Sequence, residues 1–113
     1  MIKDSLWYKY VNTRQGAEII ESELGFVQFK LAGEECFIME MFVDQEARGK
    51  GTKNELLSDL EALAIENDCK IITGNIDAKD PFAARTLRAA FKWGFKILKA
   101  QNDIILIGKE IAR

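Results

Sequence analysis

Phe37-Ile38-Met39-Glu40-Met41-Phe42-Val43, followed at once by Asp44-Gln45-Glu46-Ala47-Arg48-Gly49-Lys50-Gly51-Thr52, decides how this chain is read. An apolar strand runs into a short loop with two glycines and two cations, and a long amphipathic helix follows with a third cation, Lys53, at its start. A strand, a glycine loop and a helix N-terminus together make a concave set of backbone N–H groups aimed at an anion, with the helix dipole behind them. Gly49 and Gly51 carry no Cβ, so the backbone can come close to a phosphate. The spacing is not the Gly-x-x-x-x-Gly-Lys-Ser/Thr phosphate loop. It is not the dinucleotide fingerprint Gly-x-Gly-x-x-Gly either, because Asn54 stands where its last glycine would be. The stretch reads as a pyrophosphate cradle of another kind.

A competing account needs no ligand. Thr52 followed by Glu55 is a capping box, which could satisfy the first helical N–H groups from within. Against it stand Arg48, Lys50 and Lys53, because cations at a helix N-terminus oppose the dipole unless an anion compensates them.

Outward from this stretch the chain reads as one domain over residues 1–113. Its 113 residues are enough for a real core and too few for two. The apolar share of 48% and charged share of 30% suit an ordinary globular protein. A net charge of −2 argues against general nucleic-acid binding. No apolar run nears the ~20 residues of a membrane span, so no membrane partner is expected. Met1-Ile2-Lys3-Asp4 lacks a hydrophobic signal region, which predicts a cytoplasmic protein. Histidine is absent. That excludes Ser-His and Cys-His nucleophilic catalysis and every His-based metal site, and no metal is expected. Cys36 and Cys69, each beside an apolar strand, read as buried free thiols.

The elements follow from periodicity and punctuation. Ser5 to Val11 reads as a strand, and Thr13 could cap a short helix through Leu24, although Ala17 to Glu21 could also extend. Phe26 to Leu31 and Cys36 to Val43 form a hairpin around Gly33-Glu34, the second strand apolar on both faces. From Thr52, the residues Leu56, Leu57, Leu60, Leu63 and Ala64 share one helical face. Cys69 to Ile76 returns as a strand. Asp80-Pro81 opens a helix that runs to Trp93 and stops at Gly94. Phe95 to Lys99 and Ile104 to Ile111 close the chain as a hairpin. The predicted fold is mixed α/β (α+β): a mostly antiparallel sheet with a central parallel strand pair and helices on both faces.

Val43-Asp44-x-x-x-Arg48-Gly49-Lys50-Gly51-Thr52 after an apolar strand resembles motif A of the GNAT acyl-CoA N-acetyltransferase superfamily, whose signature is Gln/Arg-x-x-Gly-x-Gly/Ala. Arg48 and Gly51 match it, while Lys53 stands where the last Gly or Ala is expected. Ala89-Ala90-Phe91-Lys92-Trp93-Gly94-Phe95-Lys96 resembles the helix end and Gly-Phe step of motif B. The resemblance spans Glu35 to Ile111 and carries expectations with it. Backbone N–H groups of Gly49 to Lys53 would hold the pyrophosphate of acetyl-CoA, the expected co-substrate. Met41, Phe42 and Val43 would pair with its pantetheine arm as another strand would. Arg48, Lys50, Thr52 and Lys53 complete the expected cofactor site; Lys53 would either crowd the phosphate or contact it.

Glu40 is the lone charge in Cys36 to Val43. Regular alternation places it beside Ile38 and Phe42, in a mostly apolar layer, and a two-residue loop places it opposite Val27. A carboxylate in such a layer is suited to take a proton near neutral pH, and several members of the resembled family use a strand Glu in this way on the acceptor amine. The family's usual acid, a tyrosine four residues before the Gly-Phe step, is Ala90 here. A thiolate leaves tolerably without help, so transfer would be slowed and not forbidden. Arg85, Arg88 and Lys92 form a basic helical stripe, in the ordinary case a solvated face.

The resemblance implies an N-acetyltransferase acting through a ternary complex, with Glu40 as base, acetyl-CoA as donor and an unidentified primary amine as acceptor; it leaves room for a homodimer. The alternative is a degenerate acyl-CoA fold serving as a binding or assembly module, a phage or mobile-element setting being suggested only by its compactness.

Overall fold

The structure, a computed structural model, describes residues 18–47 and 51–111. Its sheet is built from β1 (Glu18–Ser22), β2 (Gly25–Ala32), β3 (Glu35–Val43), β4 (Ile71–Asp77), β5 (Lys96–Gln101) and β6 (Ile104–Glu110) in the order β1-β2-β3-β4-β6-β5. Two helices connect them, α1 (Thr52–Glu66) and α2 (Ala83–Lys92). All neighbours are antiparallel except β3 and β4, the expected parallel pair.

Local chemistry accounts for most of these elements. Gly33, at φ 60, makes the two-residue turn between β2 and β3. Asn102 and Asp103, at φ 53 and 65, turn β5 into β6 as a pair of left-handed residues. Asp80 caps the approach to α2, its Oδ1 accepting the Phe82 N–H at 2.8 Å. Pro81 stays in the preceding turn, so the helix starts two residues later than proline at its first position would give. Gly94, at φ 98, stops the chain just past Trp93.

Over residues 18–24 the helical expectation fails, and the extended alternative named for part of this stretch is the one found. The second half of the helix foreseen from Thr13 to Leu24 is instead β1 and a turn. Ile19 and Ile20 are both buried, and two consecutive buried β-branched residues suit a strand covered on both sides better than one helical face. The strand expected at Ser5 to Val11 and the start of that helix lie outside the described residues.

β4 is reached from β3 by way of α1, and β5 from β4 by way of α2. Both crossovers advance in the same direction across the sheet, so right-handed connection lays both described helices on one face, where the sequence reading expected helices on both. Ile20, Val27, Phe29, Cys36, Ile72 and Ile76 meet Leu56, Leu60 and Ala64 there, with Ala83, Phe95 and Ile107 at the α2 side. The buried face of α1 is the one that the leucine spacing predicts.

A polar clamp joins the helices at their exposed rim. Trp93 Nε1 donates to Asn54 Oδ1 at 3.1 Å. Lys109 Nζ, 4.7 Å from the Trp93 ring centroid, pairs with Glu61 at 2.7 Å. This half-buried pair holds the end of α2 against α1.

Both cysteines are buried and free, as the sequence suggested. Burial pushes the Cys36 thiol up to about 12, with Cys69 and nearby carboxylates adding to it; burial also raises Cys69. Thiolate is the reactive form, so neither cysteine should react with an aromatic disulfide reagent in the native state at pH 8. Both should titrate promptly once the chain is unfolded in guanidinium. Fast native labelling of Cys36 would show that the core around it opens.

Candidate active site

β3 and β4 run side by side only from Glu35↔Ile71 to Ile38↔Gly74. Beyond that point β3 continues to Val43 paired only with β2, and β4 continues to Asp77 paired only with β6. The cause is visible in the register. Phe29 faces Ile38, but Gln28 faces Glu40, so Met39 is an extra residue on β3. Such a bulge bends its strand and increases the local twist. Here it carries the last residues of β3 away from β4.

The parted strands leave a cleft of about 340 Å³. Ile38 to Met41 and Val43 line it from β3, and Gly74, Asn75 and Ile76 from β4. Lys53 and Leu57 come from α1; Thr86, Ala89 and Ala90 come from α2. Gly74 lies on the floor, where an added Cβ would make ordinary van der Waals contact with Ile38 and Ile107. A larger hollow of about 540 Å³ lies at the other end of β4, around Cys69 to Ile71 and Glu110. It is remote from Gly51 and from the parted strand ends.

The bulge also reassigns faces. Cys36 and Ile38 point toward the helices, as do Met41 and Val43 on the far side of the bulge. Glu40 and Phe42 therefore point to the opposite face, Phe42 against Phe26 at a ring separation of 6.0 Å. The expectation that Glu40 shares a layer with Ile38, opposite Val27, is overturned: it faces Gln28 and is exposed. Strict period-two alternation misled here, because one inserted residue inverts every side chain after it. Glu40 still borders the cleft, from the side away from the helices.

Gly51 sits at the N-cap of α1 with φ 76. No side chain caps the helix, so the Thr52–Glu55 capping box is not formed; Thr52 is buried instead. The Glu55 N–H donates to the Gly51 carbonyl at 3.0 Å, closing the first turn of α1. Lys53 lies one turn ahead of Leu57 on the inward side of α1, half-buried, and burial lowers its pKa. Arg48, Gly49 and Lys50 lie outside the described residues.

The structure thus brings together Glu40, Met41, Val43 and Lys53 at one cleft, with Gly51 and Thr52 beginning the helix beside it. Phe42, also expected at the site, is not among the residues lining the cleft; its ring packs against Phe26 on the opposite face. Ala90 lines the cleft as motif B would place it, without an acidic proton. Asn75 and Thr86 were not foreseen. Asn75 could have been noticed as the one amide in β4. Thr86 gave no signal, and its hydroxyl is engaged with the Phe82 carbonyl at 3.1 Å.

The Acetyltransferase (GNAT) family profile matches residues 7–100, most of the chain. This protein belongs to that family. Solved structures share its fold at low identity. Nourseothricin acetyltransferase superposes with a TM-score of 0.68 at 17% identity, over 79% of this chain and 58% of its own. Ard1 from Thermoplasma volcanium gives 0.64 at 18%, over 80% of this chain and 64% of its own. The PaiA N-acetyltransferase from Thermoplasma acidophilum, solved in complex with coenzyme A, gives 0.74 at 15%, over 96% of this chain and 70% of its own. The chain therefore spans less than two thirds of the first two. No curated protein matches the sequence significantly.

The meeting of β2 with the end of β3 should be intolerant of added bulk. A Cβ at Gly25 would lie 2.6 Å from the Phe42 carbonyl oxygen and 3.2 Å from the Val43 Cα. Backbone must shift to admit it, at a cost of about 1–3 kcal/mol. Gly25→Ala should lower the urea midpoint accordingly with an unchanged m-value.

Proposed function

We propose that this protein is an acetyl-CoA-dependent N-acetyltransferase whose donor enters the cleft between β3 and β4. The observation that carries this reading is the coincidence of three features at one place. The parallel strands part, the N-terminus of α1 stands beside the gap with Gly51 as its cap and no side-chain cap, and a carboxylate borders the gap from the other face. Family membership and a fold neighbour solved with coenzyme A support the choice of donor.

In this reading the pantetheine arm, itself an amide chain, lies along the free edge of Met41 to Val43 and takes the place of the missing strand neighbour. The diphosphate rests on backbone N–H groups from Gly49 to Lys53, with Arg48 and Lys50 contributing charge and Thr52 fixed in the core behind them. A backbone N–H near Phe42 holds the developing oxyanion. The acceptor is a primary amine that approaches from the face opposite α1 and α2. There Glu40, exposed to solvent, takes its proton directly or through a water. The amine nitrogen then attacks the thioester carbon, and the thiolate departs without a tyrosine at position 90. Most of the rate enhancement comes from holding amine and thioester together. Action in the cytoplasm, as a monomer or homodimer, with no metal and no nucleic acid, completes the reading.

Titration calorimetry with acetyl-CoA, followed by a thiol-release assay across a panel of amines, tests it. No heat of binding at millimolar donor would contradict it, and the cleft would then belong to a binding or assembly module. Gly51→Val should reduce donor affinity by at least tenfold, roughly one to two kcal/mol. Its branched Cβ would crowd the phosphate approach, and its strained φ would add about 1–2 kcal/mol of lost stability, readable separately by urea unfolding. Glu40→Gln should lower kcat on the order of 10²-fold while leaving donor affinity near wild type. Ala90→Tyr should raise kcat if the departing thiolate is what limits the reaction.

A further inference from the structure

The two helices share one face of the sheet and carry opposite charge toward solvent. α1 exposes Glu55, Asp59 and Glu66, while its one cation, Lys53, lines the cleft. α2 exposes Arg85, Arg88 and Lys92 and has no acid. Neither helix accounts for its own charges. Glu55 and Asp59 are four residues apart, as are Arg88 and Lys92, and like charges at that spacing repel along a helix. Glu66 ends α1 and Arg85 lies in the first turn of α2, each against its helix dipole. Among the described residues none of the six has an ion-pair partner. Phe82 and Phe91 accompany the basic stripe and are 60% and 47% exposed. The Arg85 guanidinium lies 5.5 Å from the Phe82 ring centroid. One layer thus presents an acidic helix beside a basic and partly apolar one.

We infer that a second copy of this chain covers the layer, in a two-fold dimer that sets α1 of each protomer on α2 of the other. The strand directions allow it. β4 and β5 are both antiparallel to β6, so they run the same way, as β3 and β4 do. α1 and α2 therefore return across the sheet in the same sense, side by side. A two-fold axis along them, midway between, places acid on base at both contacts. A two-fold axis across them would place α1 on α1, acid on acid. In the first arrangement Asp59 and Glu66, seven residues apart, meet the partner's Arg85 and the partner's Lys92, also seven apart. Seven residues are about two helical turns on each side, so the charges stay in step. Phe82 and Phe91 supply apolar contact at the same face. At 1.5 Å per residue the helices are about 22 and 15 Å long, which puts the patch at the low end for a specific interface. Exposed ion pairs each contribute little and are screened by salt, so the dimer is weak and salt-sensitive. The inference is independent of the donor reading.

Sedimentation velocity of the full chain over a concentration series tests it, with two charge-reversed variants. Wild type should show a monomer–dimer equilibrium whose dissociation constant rises at least about tenfold from low salt to ~0.5 M salt. Asp59→Lys with Glu66→Lys makes the whole layer basic, and Arg85→Glu with Lys92→Glu makes it acidic. Each double variant alone should stay monomeric, because every contact then sets like charge on like. Mixed, the two should form a heterodimer, since both contacts again join opposite charges. Circular dichroism checks that each variant is folded, and should one fail to fold, the salt dependence of wild type decides. Wild type that stays monomeric at all concentrations in low salt would overturn the inference. So would a dimer that neither salt nor either reversal weakens, or folded variants that remain monomeric on mixing.

Discussion

One extra residue, Met39, organises this molecule. Up to Ile38 the third and fourth strands are ordinary parallel neighbours, and from Met39 on they are not. A bulge in a strand bordered on both sides would normally weaken the sheet, since it leaves backbone groups without a partner. It is tolerated where water or another backbone-like molecule can fill the gap. A chain with two amide groups and the width of a strand is well matched to such an edge, which gives the cleft a chemical preference before any side chain is considered.

Other features serve to keep that gap open and correctly bounded. The crossover helix begins beside the free strand end with glycine, in the left-handed region, as its cap. Its inward leucines fix its position on β1, β2 and β3, while Trp93 and the Lys109–Glu61 pair tie the second helix to it. Opposite the helices, the inversion of faces at the bulge sets Glu40 toward solvent. Donor and acceptor would therefore approach from different sides and meet at the parting. A buried carboxylate, as simple alternation suggests, would have had its own side blocked by the core.

Much of this was legible in the sequence. The hairpin at Gly33, the leucine face of the crossover helix, the parallel pair and the stop at Gly94 follow from glycine placement and from periods of two and 3.6. What escaped has physical reasons. Met39 is apolar like its neighbours, so nothing in its chemistry marks it as the inserted residue, and every face assignment after it inverts. Glu18 to Ser22 has the mixed composition that either helix or strand accepts, and its pairing with β2 decides. Thr52–Glu55 matches a capping box letter by letter, but Thr52 is drawn into the core and cannot also cap. Local signals lose wherever burial or pairing offers more.

The central claim is that the free edge of β3 and the first turn of α1 bind one ligand together. Hydrogen–deuterium exchange of backbone amides, with and without acetyl-CoA, reads this directly. The account predicts that protection rises on binding at Met41 to Val43 and at Gly51 to Lys53 together, with little change at the β5–β6 hairpin. Binding that leaves the β3 edge as exchangeable as in the free protein, or that protects only the hollow around Cys69 to Ile71, would contradict it.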